Sequence, residues 1–475
     1  MSNSTPLSIN TLMNKALMTL KLVSTDQVDN DVEKSDSEND NHEKRLSVKE
    51  KIFSYKPIAS RQPHTLHYAM KSVGYLPNPI LERLVGYLKG ATSKQYLYAD
   101  AHLRLILAVN SKFKSPLELT PMPELRKRFA VDAVAMQAPK VWKQASDTML
   151  SNIKRFTKKG ERPVRWEDEV IANADEGDMT IRCYQASVGS NQLGFKHIGL
   201  NKRHTHNPDE MVLLFFHGGG FCLGDVDTHH EFCHAICEQT GWPVVSVDYR
   251  LAPENPAPTA LRDCITAYAW LAEHCHTLKA SPSRIVLAGD SAGGGLCALV
   301  TQQITAPTEN AWLDLGIDGQ KIFDLLQGLP KPLAQMPLYP VTDVETNYPS
   351  WDLYGEGLLL DHADVAVFDA ACFQNSPLPR QHVLSSPMLG DNSQVCPTYI
   401  VVSELDVLRD EAFAYAEQLK NHGVLVRTNT VLGAPHGFIH FMNIHEGLGQ
   451  ETRDMIDEFV YFVHNIIEAQ SQLAA

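Results

Sequence analysis

Two apolar runs in this chain each end abruptly in glycine, and that arrangement limits the fold more than any other feature. Met211 to Phe216 leads into His217-Gly218-Gly219-Gly220, and Arg284 to Ala288 leads into Gly289-Asp290-Ser291-Ala292-Gly293. Short β-branched or aromatic runs bounded by glycine read as buried strands meeting sharp turns. Around them the texture alternates. Val212–Phe216, Val244–Tyr249 and Arg284–Ala288 read as strands, and residues 231–240, 260–274 and 293–303 read as helices. The rhythm resumes with a strand at Thr398–Leu405, a helix over residues 408–422, a strand at Val424–Leu432 and a last helix over residues 451–469. That is the βαβ signature of a mostly parallel sheet with helices on both faces. Upstream, "EDEVIAN" and "MTIRCYQ" read as a hairpin, and residues 56–163 are helical in pattern.

The second glycine turn carries a nucleophile pattern. Gly289-x-Ser291-x-Gly293 follows a strand and precedes a helix, the context in which a serine is held on a strained turn with its hydroxyl free. The flanking glycines remove side chains that would meet the neighbouring strand and helix. The first glycine run then has a use. A serine attacking an ester creates an oxyanion, and backbone N–H groups in a tight glycine loop can approach it. The loop after His217 and the N–H of Ala292 are the candidate donors.

A serine needs a base, and the base needs an orienting acid. In chain order both should follow the nucleophile. Asp406 ends the strand at Thr398–Leu405, and His436 lies in "GAPHGFIHF" after the last strand. Both fall at strand C-termini, the edge where open parallel sheets hold their sites. Asp410 reads as a surface or capping charge, and His440 as a residue one turn into a following helix.

Together "HGGGF", "VDYRLAPE", "GDSAGG", "LDVLRDEAFAYAEQL" and "HGF" resemble the hormone-sensitive lipase family of α/β-hydrolases, the bacterial family IV esterases, over roughly residues 165 to 470. The resemblance implies Ser291 as nucleophile, His436 as base and acid, Asp406 as orienting carboxylate, and Gly219, Gly220 and Ala292 as oxyanion donors. It implies no cofactor and no metal. It makes His217, Asp248 and Arg250 structural, and it implies a helical cap, matched here by an insertion near 349–375. The expected substrate is a small-molecule ester of short to medium acyl chain. An amidase or deacetylase, or a longer-chain lipase, would use the same triad. A non-enzymatic small-molecule binder on this fold would lack the base that His436 supplies.

The remaining sequence narrows the setting. A net charge of −14 argues against a nucleic-acid partner. Residues 1–55 form an acidic segment expected to be largely disordered, with nine acidic and four basic side chains between Asp26 and Glu50. Ile9, Leu12, Met13, Ala16, Leu17 and Leu20 share one helical face before it, fit to dock on the body or to touch a membrane weakly. No apolar stretch spans a bilayer, and a cytoplasmic location with reduced thiols follows from the absence of a signal peptide and of paired cysteine motifs. His230, Cys233, His234 and Cys237 fall on one helical face but lack a completing cluster for a metal. The expected division is 1–55, a helical extension or cap at 56–163, and a catalytic domain at 164–475. A stretch near 305–332 reads as an insertion able to reshape the cap, and the additions also allow a homo-oligomer.

Overall fold

A computed structural model describes residues 65–88, 99–113, 117–144, 163–186, 210–344 and 346–474. The acidic segment and the amphipathic N-terminal stretch lie outside them. Four helices come first: α1 (Thr65–Val73), α2 (Asn78–Tyr87), α3 (Ala101–Phe113) and α4 (Met122–Met136). Prolines open α2 and α4 at positions where no backbone donor is needed. Helix α2 ends at Tyr87.

The rest is one eight-stranded sheet. Its strands are β1 (Val164–Ala172), β2 (Asp178–Ala186), β3 (Val212–Phe216), β4 (Val244–Val247), β5 (Ile285–Asp290), β6 (Ala334–Leu338), β7 (Thr398–Leu405) and β8 (Val426–Pro435). Their spatial order is β1-β2-β4-β3-β5-β6-β7-β8. The expected hairpin β1–β2 is antiparallel and joins β4 antiparallel, and every later pairing is parallel. Helices α5 (His230–Thr240), α6 (Thr259–His274), α7 (Ala292–Thr305), α8 (Glu309–Leu313), α9 (Ile317–Leu326), α10 (Pro349–Tyr354), α11 (His362–Phe373), α12 (Arg409–Asn421) and α13 (Glu446–Ala474) complete the order.

Strand β3 shows why its sequence is apolar throughout. Leu213 and Phe215 enter a core shared with α5 and α13, and Val212, Leu214 and Phe216 enter a second core shared with α6 and α7. Side chains alternate between faces and both faces are covered, so every position is buried.

One strand escapes sequence reasoning. β6 contains Pro337 and buried Gln335, and a proline argues against a central strand. Here Pro337 faces Gly289 across a parallel pairing, and Gln335 donates from Nε2 to Thr398 Oγ1 at 2.9 Å. The 305–332 stretch packs on the body of the fold. It forms α8 and α9, whose Trp312, Ile322 and Leu326 join the core beside α6. Because β3, β5, β7 and β8 run parallel, the loops that follow them meet along one edge of the sheet.

Candidate active site

Ser291 sits in the turn between β5 and α7 with φ 55° and ψ −120°. A non-glycine residue held there is strained, and the surroundings must fix it. They do so through backbone bonds: Ser291 N–H donates to Leu338 O at 2.9 Å, and Ser291 O accepts from Gly295 N–H and Val341 N–H at 3.0 and 3.2 Å. The flanking glycines answer to close packing. A Cβ on Gly293 would lie 2.0 Å from Phe216 O, and one on Gly289 would lie 2.2 Å from Gly293 O.

His436 follows directly on the end of β8, and its Nε2 lies 2.8 Å from Ser291 Oγ. Its Nδ1 lies 2.7 Å from Asp406 Oδ2, just past β7. A carboxylate oxygen accepts, so Nδ1 carries the proton and Nε2 is free to accept from the serine hydroxyl. Asp406 is fully buried, and its Oδ1 takes the Leu408 N–H at 2.9 Å. The ring of Tyr339 stands edge-on to His436, 4.9 Å between centroids. Asp410 is half-buried rather than a surface charge. Its Oδ2 accepts from Ser350 N–H at 2.9 Å, which ties α12 to α10.

The glycine loop closes the third side. Gly219 has φ 119°, and a Cβ there would meet Leu223 O at 2.3 Å. Among the described residues no acceptor takes the N–H of Gly219, Gly220 or Ala292, and all three residues border the same space as Ser291 or adjoin it in sequence. His217 braces the loop. Its Nδ1–H donates to Gly218 O at 2.8 Å, its ring stacks on Tyr249 at 4.2 Å, and Tyr249 OH donates to His217 O at 2.7 Å. Burial drives His217 down to about 3, so it is neutral. Arg250 pairs with Asp263 at 2.8 Å and with Asp175 of the β1–β2 turn at 2.7 Å, tying that turn to α6.

A family profile described as an alpha/beta hydrolase fold matches residues 213–440. Lipase 2 of Moraxella sp. (strain TA144) is 55% identical over 418 residues, which cover 86% of this chain and 92% of that protein. The chain belongs to the α/β-hydrolase family. Its motifs are of the hormone-sensitive lipase kind, and its chemistry is ester hydrolysis by a serine hydrolase. Ethyl acetate hydrolase of Pseudomonas putida is 33% identical over 236 residues, covering 50% of this chain and 68% of that one. Among solved structures, an esterase of Pyrobaculum calidifontis matches with a TM-score of 0.55 and 26% identity, over 76% of this chain and 97% of that one.

In the hydrolase, Ser291 and His436 line an open cavity of about 980 Å³. Its roof comes from Ile106 and Val109 of α3, Phe129 and Met136 of α4, and Val365 and Phe368 of α11. No residue of 305–332 borders it. Helix α4 is clamped by Arg126, which donates to Cys222 O at 2.7 Å and Ala252 O at 2.6 Å and pairs with Glu254 at 2.5 Å. Glu254 belongs to the "VDYRLAPE" stretch, so that motif also anchors the roof. No described helix is long and apolar enough to cross a membrane.

The cysteine–histidine face of α5 is core, not a ligand set. His230 Nε2–H donates to Val141 O at 2.9 Å, its ring stacks on Trp142 at 4.1 Å, and the nine cysteines are buried with no disulfide between them. Sequence reasoning missed a different group. His229, Asp290 and His440 converge beside Ser291 with ring-nitrogen and carboxylate atoms within 4.8 Å of one another. His440 lies in a 3₁₀ turn, Phe438–Phe441, rather than in an α-helix. Asp290 is the variable position of the serine turn, and nothing in its spacing announced a partner 61 positions earlier.

Proposed function

We propose that this hydrolase cleaves carboxylic esters through Ser291, His436 and Asp406, by way of an acyl-enzyme. The observation that carries the reading is the line Ser291 Oγ–His436 Nε2–Asp406 Oδ2, with contacts of 2.8 and 2.7 Å. Ser291 Oγ attacks the ester carbonyl while His436 Nε2 takes its proton. The carbonyl oxygen becomes an oxyanion that accepts from the N–H groups of Gly219, Gly220 and Ala292. Collapse of the adduct breaks the bond to the alcohol oxygen, and His436 gives that oxygen its proton. Water, deprotonated by His436, then attacks the acyl carbon; the bond to Ser291 Oγ breaks, His436 returns the proton to that oxygen, and the acid leaves. Asp406 keeps the imidazole in the tautomer that these steps need.

In the same reading, helices α1–α4 and α10–α11 form a cover that selects the substrate. Phe368 supports a short to medium acyl chain, because its ring occupies the space above Gly220: a Cβ on that glycine would lie 2.3 Å from it. The name of the Pseudomonas relative, an ethyl acetate hydrolase, points the same way. The lipase name of the Moraxella relative and the volume of the cavity favour a longer chain. A series of p-nitrophenyl esters from acetate to palmitate, with Ser291→Ala as control, tests both. Activity peaking at short chains and lost in Ser291→Ala is the expected result. A peak at palmitate would keep the triad and overturn the chain-length reading.

A further inference from the structure

His229, Asp290 and His440 lie against the serine turn, and the ester chemistry uses none of them. Asp290 is 2% exposed, and among the described residues no lysine or arginine pairs with it. A buried carboxylate is ordinarily paired with a cation or bound to a metal. His229, also 2% exposed, brings Nε2 to 3.1 Å from Asp290 Oδ1, yet among the described residues that nitrogen makes no hydrogen bond. The other ring nitrogen is engaged. Thr228 Oγ1 donates to Asp225 O at 2.7 Å and accepts the Asp225 N–H at 3.0 Å, so His229 Nδ1, 2.9 Å from the same oxygen, is the donor there. An imidazole whose Nδ1–H is held in this way offers its Nε2 lone pair, and such outer bonds are what orient metal-binding histidines.

The neighbouring atoms complete a ligand set. One ring nitrogen of each histidine and a carboxylate oxygen of Asp290 lie within 4.8 Å of one another. Among the described residues nothing hydrogen-bonds to the ring of His440, whose ring contacts are Phe129 and His229. Asp290 Oδ1 is fixed by the Gly218 N–H at 2.8 Å, as a ligating carboxylate is fixed by an outer bond. Ligands of one tetrahedral zinc, bonded at about 2.0–2.1 Å, stand about 3.4 Å apart. The 3.1 Å between His229 Nε2 and Asp290 Oδ1 is close to that spacing. Two imidazoles and a carboxylate suit zinc with a fourth position open. All three residues border the cavity, which gives both a route of entry and that fourth position.

We propose that His229, Asp290 and His440 form a binding site for a divalent first-row cation, zinc above all, which enters through the cavity and inhibits the enzyme. Asp290 is joined directly to Ser291, and His440 lies in the turn that follows His436. Catalysis passes through an imidazolium at His436, and a divalent charge beside it disfavours that state. The inhibition rests on the esterase reading of Ser291 and His436. The binding does not.

Binding is read without substrate. The full-length enzyme, freed of metal with a chelator, is titrated with zinc chloride at pH about 7.5, where imidazole ligands are deprotonated, and a chromophoric chelator reports the free ion. One ion per chain, saturating at micromolar zinc, is the expected result. His440→Phe, which removes a ligand that faces the cavity, should weaken binding by about 10²-fold, and Thr228→Val, which removes only the oxygen that holds Nδ1, by about tenfold. Zinc bound adventitiously to surface histidines responds to neither change. Zinc should also lower the rate on saturating p-nitrophenyl butyrate by about tenfold or more against each variant's own zinc-free rate, with half-inhibition moving to higher zinc in the same order. A parent that binds no zinc, or that binds it equally well in both variants, overturns the site. Zinc that binds without slowing a working esterase overturns the inhibitory role. If no ester is cleaved, the titration still decides the site. Should a variant fail to fold, anomalous scattering from parent crystals soaked in zinc replaces it: an ion among the three residues supports the site, and ions elsewhere only overturn it.

Discussion

On the floor of the cavity, Ser291, the glycine loop, Asp406 and His436 hang from strand ends and are held mainly by backbone hydrogen bonds and close glycine packing. In the roof, Phe129, Val365 and Phe368 are carried by helices held through apolar contact and a few side-chain clamps, chiefly Arg126 on Glu254 and Asp410 on Ser350. Backbone constraints leave little room for substitution, whereas apolar contacts admit many shapes of similar volume. The difference separates chemistry from selectivity: changes in the floor should lower kcat, and changes in the roof should redistribute activity among substrates.

The largest effects belong to the floor. Ser291→Ala or His436→Ala should each lower kcat by about 10⁶-fold, and the double variant should lose little more than either single, because groups acting as one unit are not additive. Steady-state kinetics of the two singles and the double decides this; losses that multiply would separate the residues. Asp406→Asn should lower kcat by about 10⁴-fold, since an amide favours the wrong imidazole tautomer.

The roof should behave differently. Phe368→Ala frees space above Gly220 and should raise the ratio of decanoate to acetate kcat/KM by about tenfold or more. An unchanged profile would remove Phe368 from substrate selection. Asp410→Asn should leave kcat on acetate within about threefold, because it touches Ser350 of the cap and not the imidazole. A loss as deep as that of Asp406→Asn would exchange the roles of the two acids.

The smallest effect concerns the seam between roof and floor. Glu231 Oε1 accepts from Ala138 N–H, just past α4, at 2.8 Å and from Asn443, after the His436 loop, at 2.7 Å. Burial pushes its carboxyl up to about 7 despite those bonds. Between its unfolded value and 7 the folded state keeps a proton that the unfolded chain has lost. Stability should therefore fall as pH rises through that window, by at most about 1.4 kcal/mol per unit for one proton. Glu231→Gln should flatten that decline in urea unfolding followed from pH 5 to 8. An unchanged slope would place the titration elsewhere.

The same contrast governs how much the sequence disclosed. Ser291, Asp406, His436 and the glycine loop could be read because their demands are local: a positive-φ turn, a strand end, a residue that admits no Cβ. Val212–Phe216 declared itself as a strand because both its faces are buried. β6 did not, since Pro337 and Gln335 contradict strand propensity and only the pairing with β5 and β7 makes them a strand. His229 escaped notice for the same reason. Its meaning comes from Asp290, which is distant in sequence and adjacent in space. The roof was legible as helices, but which of their side chains would face the cavity was not, because α3, α4 and α11 meet only in the folded chain. The 305–332 stretch looked able to reshape the cap, yet Trp312, with its Nε1–H on Gln303 at 2.9 Å, commits it to the core instead.

The central claim is that Ser291, activated by His436, is the atom that receives the acyl group. Treatment with diethyl p-nitrophenyl phosphate, followed by intact mass and peptide mapping, tests it most directly. One diethylphosphoryl group per chain, on Ser291, formed in step with loss of esterase activity and absent from Ser291→Ala and His436→Ala, is the predicted result. Full inactivation with the label on another residue, or esterase activity that survives in Ser291→Ala, would contradict it.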